Sequence, residues 1–392
     1  MSLLITDIGE LTTHEEGDDR RRDAALVIDG ARIAWIGEAS AAPAADERLS
    51  VGGRAVLPGW VDSHTHLVFA GDRAAEFEAR MAGAPYAAGG IATTVAATRN
   101  ATDAELAGTL GRLRHEALRA GTTTLETKTG YGLDVATEVR SARIATEGGV
   151  DVVSFLGAHL VPDGLDARAY LDLVTGPMLE AVRPYVQFID VFCESGAFDV
   201  EQSRAVLQAG RAAGLGLRVH GNQLGHSGGV ALAVELGAAS VDHCNALTRD
   251  DIAALAASET VATVLPACDL STRVPLAPAR ELWDAGAVVA IATNANPGTS
   301  YTTSMAFCVA TAVLQMRLSI EEAVWAATRG GAHALGLAAS EDRVGMLAVG
   351  GRADLQVLDA PSVAHLAYRP GVPLTAAVWR AGARVAERPA PL

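Results

Sequence analysis

The chain has 392 residues, 49% of them hydrophobic and 20% charged, enough apolar mass for one large core and a smaller second one. A formal net charge of −15 argues against nucleic acid and an anionic membrane surface as partners. Four cysteines (Cys193, Cys244, Cys268, Cys308) stand far apart without metal-knuckle or redox spacing, and neither a signal-peptide pattern nor an apolar stretch of membrane-spanning length occurs, so small buried thiols in a cytoplasmic protein are expected.

From Met1 to about Leu57 the sequence reads as short strands and turns. Ala24–Ile28, Asp29-Gly30 and Ile33–Gly37 form a hairpin pattern around an Asp-Gly turn, and Arg20-Arg21-Arg22 reads as a solvated polar loop. The same texture returns in Gly351–Asp359 and Ala376–Arg380. Strands at both ends predict a small composite β-sandwich domain built from residues 1–57 and 343–392.

Between the ends, residues 58–342 alternate β-rich runs with alanine-rich helical patterns. The strands predicted are Val56–Val61, Thr122–Thr127, Val150–Leu156, Phe188–Phe192, Gly216–Val219, Ser240–Asp242, Val261–Leu265 and Val288–Ala292. Helical patterns at Asp103–Ala120, Glu201–Ala213, Gly228–Leu236 and Asp250–Ala257 separate them, and Ser319-Ile320-Glu321-Glu322 starts a further helix with a capping box. Eight strands alternating with helices predict an α/β fold, a closed (β/α)8 TIM-like barrel.

Catalytic groups of such barrels stand at the C-terminal ends of the strands. There the sequence places His64 and His66 after strand 1, Lys128–Gly132 after strand 2, His159 after strand 3, Glu194 after strand 4, His220 after strand 5, His243 after strand 6 and Asn294–Gly298 after strand 8. His64 and His66 lie one residue apart, so in a strand both imidazoles point the same way. With His220 they supply three nitrogens to one metal ion and leave a position for water. His243 is placed to take a proton or steady an oxyanion, against the alternative of a core histidine. Gln223, three residues after His220, holds the attacking water or a substrate amide, or else stabilises its loop. Arg73, in the loop leaving strand 1, suits bidentate capture of a substrate carboxylate, or pairs with Asp72 or Glu76. Tyr131, between Gly130 and Gly132, can project its hydroxyl into the mouth, and Asn296-Pro297-Gly298 offers backbone donors and an amide.

Five segments closely resemble the imidazolonepropionase family of the amidohydrolase superfamily, which acts in histidine degradation. They are His64–Arg73, Lys128–Leu133, Phe155–His159, Asn296–Thr299 and Leu366–Val372, and the resemblance extends over essentially the whole chain. It implies one zinc or iron ion (Zn2+ or Fe3+) per chain, a homodimer, and hydrolysis of the small-molecule substrate 4-imidazolone-5-propanoate to N-formimidoyl-L-glutamate. Carried over by position, His64, His66 and His220 are ligands. Arg73, Tyr131 and His159 hold substrate, Gln223 and His243 serve the water, and Asn296, Gly298 and Thr299 bind the ring side. One position departs from the superfamily: Asn294 stands where an aspartate usually contacts the metal and takes the water's proton. An amide oxygen still coordinates weakly, but a neutral amide is no base. Three explanations follow: a subgroup using His243 as sole base, an engineered inactive variant, or a relative that binds without turnover. A superfamily deaminase acting on another heterocycle is the remaining alternative, and Arg73 argues against it.

Overall fold

The computed structural model describes residues 1–15, 20–84 and 90–387. Near the N-terminus, β1 (Ser2–Thr6), β2 (Glu10–Thr12), β3 (Arg20–Arg21), β4 (Ala24–Asp29), β5 (Arg32–Glu38), β6 (Glu47–Ser50) and β7 (Ala55–Pro58) follow one another closely. Four of them form a sheet in the order β5-β4-β1-β6. The β4–β5 hairpin forms as expected, but Asp29 pairs with Arg32 as the last strand residue, so the two turn residues are Gly30 and Ala31. Gly30 takes φ 56°, a conformation that glycine adopts without steric cost.

The run Val56–Val61 is not one strand. It breaks at Gly59, where a side chain would overlap Thr123. Pro58 and the two residues before it pair with Leu355–Val357, the Gly59 N–H donates to Asp354 O (3.0 Å), and the Trp60 N–H donates to Gly121 O (2.9 Å). The proline and glycine thus hand the chain from one sheet to another. The second sheet contains β8 (Trp60–Asp62), β9 (Thr122–Lys128), β10 (Val152–Ala158), β11 (Phe188–Cys193), β12 (Gly216–Gly221), β13 (Ser240–His243), β14 (Val261–Val264) and β15 (Val289–Ile291), in strict sequence order. Pairing from β9 through β15 is parallel throughout. The ring closes where Asn294 N–H donates to His64 O and His66 N–H to Ala295 O, both at 2.9 Å. This is the (β/α)8 barrel that the alternating pattern predicts. Helices between the strands include α1 (Ala74–Met81), α2 (Ile91–Asn100), α3 (Asp103–Arg119) and α4 (Val135–Glu147). The Ser319 capping box forms with Glu322.

From the C-terminal segment come β16 (Leu355–Leu358), β17 (Thr375–Arg380) and β18 (Ala383–Glu387), completing a six-stranded sheet of order β18-β17-β16-β7-β2-β3. Ile5, Leu26 and Ile28 of the first sheet pack with Leu11, Val56, Leu355, Val357 and Trp379 of this one, so chain from both ends shares a sandwich core. Arg20 and Arg21 lie in a strand rather than a solvated loop, because acidic partners satisfy them: Arg20 pairs with Glu10 and Glu321, and Arg21 with Glu15. The described residues divide into two compact units, Met1–Asp62 with His115–Thr124 and the chain from Ser304 on, and Ser63–Arg114 with Leu125–Thr303. The helices between Ser304 and Ala334 therefore group with the terminal sheets. All four cysteines are buried, and no described helix is long and apolar enough to cross a membrane.

Candidate metal centre and active site

At the C-terminal mouth of the barrel four imidazoles converge. One nitrogen each from His64, His220 and His243 falls within 4.8 Å of the others, and His66 joins them with its Nε2 3.3 Å from His64 Nε2. The tightest trio thus includes His243, expected only as a base, while the expected ligand His66 is joined through His64.

Beneath the histidines lies a layer of charge that sequence reading missed. His64 Nδ1 donates to Asp242 Oδ2 (2.7 Å) and His220 Nδ1 donates to Asp190 Oδ1 (3.1 Å). Those contacts fix the tautomers and turn both Nε2 atoms toward the common point. Asp242 is held in turn by Arg218 Nη2 (3.0 Å), and the Lys128 ammonium lies 2.8 Å from Asp190, 3.0 Å from Glu126 and 3.6 Å from Asp242. All five side chains are fully buried. Burial raises a carboxyl pKa, yet His220 and Lys128 outweigh it for Asp190, as Arg218 and His64 do for Asp242, so both stay ionised. Three anions against two cations leave one net negative charge under the imidazoles. A sequence signal existed: Glu126, Asp190, Arg218 and Asp242 are charged residues inside predicted strands of a buried parallel sheet, and such groups are buried only when paired.

The donor set fits a metal ion. Burial first, then Lys128 for His64 and His64 for His66, push both imidazoles well below their usual pKa, so they are neutral. Two neutral Nε2 atoms 3.3 Å apart are best satisfied by a shared cation. Buried His220 Nε2, His66 Nδ1, His243 Nδ1 and Asn294 Oδ1 have no hydrogen-bond partner, so the site also holds unused donor atoms. Asn222 (φ 55°), His243 (φ 87°) and Asn294 (φ 51°) adopt left-handed backbone, a strain of about 1 kcal/mol or more each that concentrates at functional sites.

A cavity of about 40 Å³ opens over this centre, room for a water-sized nucleophile against the rings. Among its lining residues are His66, Arg73, Tyr131, His159, Gln223, His243, Asn294, Asn296 and Thr299. His159 stacks on His66 and donates from Nδ1 to Gly130 O (2.9 Å), leaving Nε2 as an acceptor; burial and His220 lower its pKa to about 4. The loop carrying Tyr131 is gathered by the buried Glu138 of α4, which accepts from the N–H groups of Gly130, Gly132 and Leu133 at 2.7–3.0 Å. Glu194 does the same for Gln223 and Leu224, both at 2.9 Å. In the strand-8 loop, Asn296 Oδ1 accepts from Gly298 and Thr299 N–H (both 2.8 Å), while its amide donates to Asn294 O and Thr299 Oγ1. Gly298 N–H is therefore committed to Asn296 and is not a free donor at the mouth. Arg73 lines the cavity and pairs with Glu76 through Nε (2.8 Å) and Nη2 (2.7 Å), so the ion pair offered for it forms with Glu76 and not with Asp72.

A parallel barrel with histidines gathered over buried carboxylates defines a hydrolase of the amidohydrolase class, and the amidohydrolase family profile matches residues 99–386. The chain is 66% identical over 387 residues to the imidazolonepropionase of Saccharopolyspora erythraea, covering 99% of this chain and 100% of that one. It is 57% identical to that of Streptomyces coelicolor over 391 residues, 98% and 99% of the two chains. The chain belongs to the imidazolonepropionase family. Among solved structures, an atrazine chlorohydrolase mutant from Arthrobacter aurescens complexed with zinc and atraton superposes with a TM-score of 0.73 at 20% identity, over 98% of this chain and 95% of that one. A zinc-bound adenosine deaminase from Xanthomonas campestris gives 0.70 at 20% identity, over 97% and 92%. At that identity they share the fold alone.

Proposed function

We propose that this chain hydrolyses 4-imidazolone-5-propanoate to N-formimidoyl-L-glutamate with one metal ion per chain. The observation that supports it best is a histidine cluster braced by buried carboxylates, with a buried arginine on the same cavity. Imidazole nitrogens and the Asn294 amide oxygen are uncharged donors, which suit Zn2+ better than Fe3+. His64, His66 and His220 hold the ion, with Asn294 Oδ1 beside them. When bound, the ion supplies Lewis acidity, bringing a water's pKa toward neutrality and polarising the ring carbonyl.

The protein's own groups do the rest. Arg73 fixes the propionate carboxylate. His159 Nε2 accepts from a ring N–H, and the Tyr131 hydroxyl faces the same ring. Gln223 orients the nucleophilic water, and Asn296, with Gly298 and Thr299, shapes the loop bordering the ring. His243 lines the same cavity, and one of its ring nitrogens receives the proton as the water adds to the carbonyl carbon. The carbonyl C–N bond then breaks: the nitrogen leaves as the formimidoyl terminus, taking that proton from His243, and the carbon becomes a carboxylic acid that gives up its own proton to solvent. Asn294, being neutral, takes no part in proton transfer. Incubation of metal-loaded protein with imidazolonepropionate, followed by proton NMR, should show N-formimidoylglutamate; unchanged substrate in the presence of folded, metal-loaded protein would overturn the reading.

A further inference from the structure

Arg73 is not a lone guanidinium. Glu76, on the first turn of α1, takes its Nε and Nη2. The same carboxylate is held from the other side by Arg80 Nη1 (2.9 Å), one turn further along α1. Arg80 reaches on with Nη2 to Gly298 O (2.8 Å) and Ser271 Oγ (3.3 Å), tying the helix to the strand-8 loop. Both arginines are almost fully buried, and Glu76 is partly exposed. Two cations share one anion, so the cluster carries one net positive charge beside the cavity. Glycines shape its bed. A Cβ at Gly298 would overlap Arg73 Nη1, and one at Gly90 would overlap both Arg73 Nη2 and Glu76 Oε2. The φ of Gly298 lies outside the left-handed region, so its backbone tolerates a side chain and the space for Arg73 does not.

We propose that Glu76 is a positioning residue for substrate-carboxylate recognition, and that the absence of a side chain at Gly298 gives Arg73 its place. This rests on the reading of Arg73 as the propionate reader. A free guanidinium on a four-bond stem samples many rotamers; a bidentate carboxylate removes that freedom before substrate arrives. Arg80 in turn anchors Glu76 and leaves the cluster one charge short of neutrality, which the substrate carboxylate supplies.

The alternative is that Glu76 competes with substrate for Arg73, and the two predict opposite signs. The test measures kcat and KM of metal-loaded Glu76→Gln, Gly298→Ala and Arg73→Met with imidazolonepropionate and with an imidazolone bearing ethyl in place of the propionate, alongside a thermal melt. Positioning predicts that Glu76→Gln raises KM for the propionate substrate about tenfold with kcat within about twofold, and leaves the ethyl analogue unchanged. Glu76→Asp should regain part of the loss. Gly298→Ala keeps the guanidinium but displaces it, and should erode the preference for the propionate substrate while the melt stays near wild type. A lowered KM in Glu76→Gln, or an unchanged one, overturns the proposal while Arg73→Met still loses the propionate preference. If Arg73→Met itself keeps that preference, the reading of Arg73 fails instead.

Discussion

Asp242→Asn probes the charged layer beneath the histidines with both expected effects pointing the same way. The carboxylate accepts from His64 Nδ1 at 2.7 Å and from Arg218 at 3.0 Å, with Lys128 at 3.6 Å, all in a fully buried setting. An amide of the same shape removes the one net negative charge under the site, leaving Glu126 and Asp190 against Lys128 and Arg218. It also places an N–H2 among groups that already donate. If that group donates to His64 Nδ1, the ring proton moves to Nε2 and the ring no longer ligates. Loss of such an outer partner weakens metal binding roughly 10–100-fold, or about 1.4–2.7 kcal/mol. Breaking the buried ion pair destabilises the metal-free fold by about 3–5 kcal/mol. Competition against a chromophoric chelator gives the first quantity and denaturant unfolding of stripped protein gives the second. An Asp242→Asn variant with wild-type metal affinity and wild-type stability would refute the claim that this layer sets the histidine tautomers.

Three further outcomes follow from the same geometry. His220→Ala should lose most of its metal, checked by elemental analysis after gel filtration, and full occupancy would remove His220 from the ligand set. His243→Ala should lower kcat about a hundredfold or more, the scale of general-base removal, whereas Asn294→Asp should keep or raise it, since it restores an anionic ligand; equal rates in His243→Ala and wild type would contradict the proton path. Burial raises Asp269 to about 7, against a smaller opposing pull from Asn245 and the Ala277 N–H. Its neutral form is favoured in the folded state, so stability falls as pH rises from about 4 to 7, and Asp269→Asn should gain on wild type across that window; a denaturation-midpoint difference independent of pH would count against it.

Much of this was legible in the sequence because strand ends are short and their chemistry is dense. The period-2 spacing of His64 and His66, and the recurrence of histidines at the C-terminal ends of β10, β12 and β13, mark the barrel mouth without any coordinates. The hand-over near residues 57 and 58 was legible as a domain boundary, but the splitting of Val56–Val61 into two strands of different sheets was not, since that depends on the approach of Thr123 and Asp354 to Gly59. The layer of Glu126, Lys128, Asp190, Arg218 and Asp242 was missed for a different reason. Its members lie in four different strands, and register brings them together, not sequence proximity: Asp190 opposite Arg218, and His220 opposite Asp242. Glu138 escaped notice because it acts on a loop from a neighbouring helix, where an acidic residue in the first turn reads as ordinary helix chemistry.

The central claim is that one ion held by this histidine cluster drives imidazolonepropionate hydrolysis. It is tested most directly by following loss of imidazolone absorbance with chelator-stripped protein as zinc is added back in sub-stoichiometric steps. The rate should start near the uncatalysed value, climb linearly and level off at one ion per chain. Full activity in the stripped protein, or no absorbance loss in folded protein carrying one ion per chain, would contradict it.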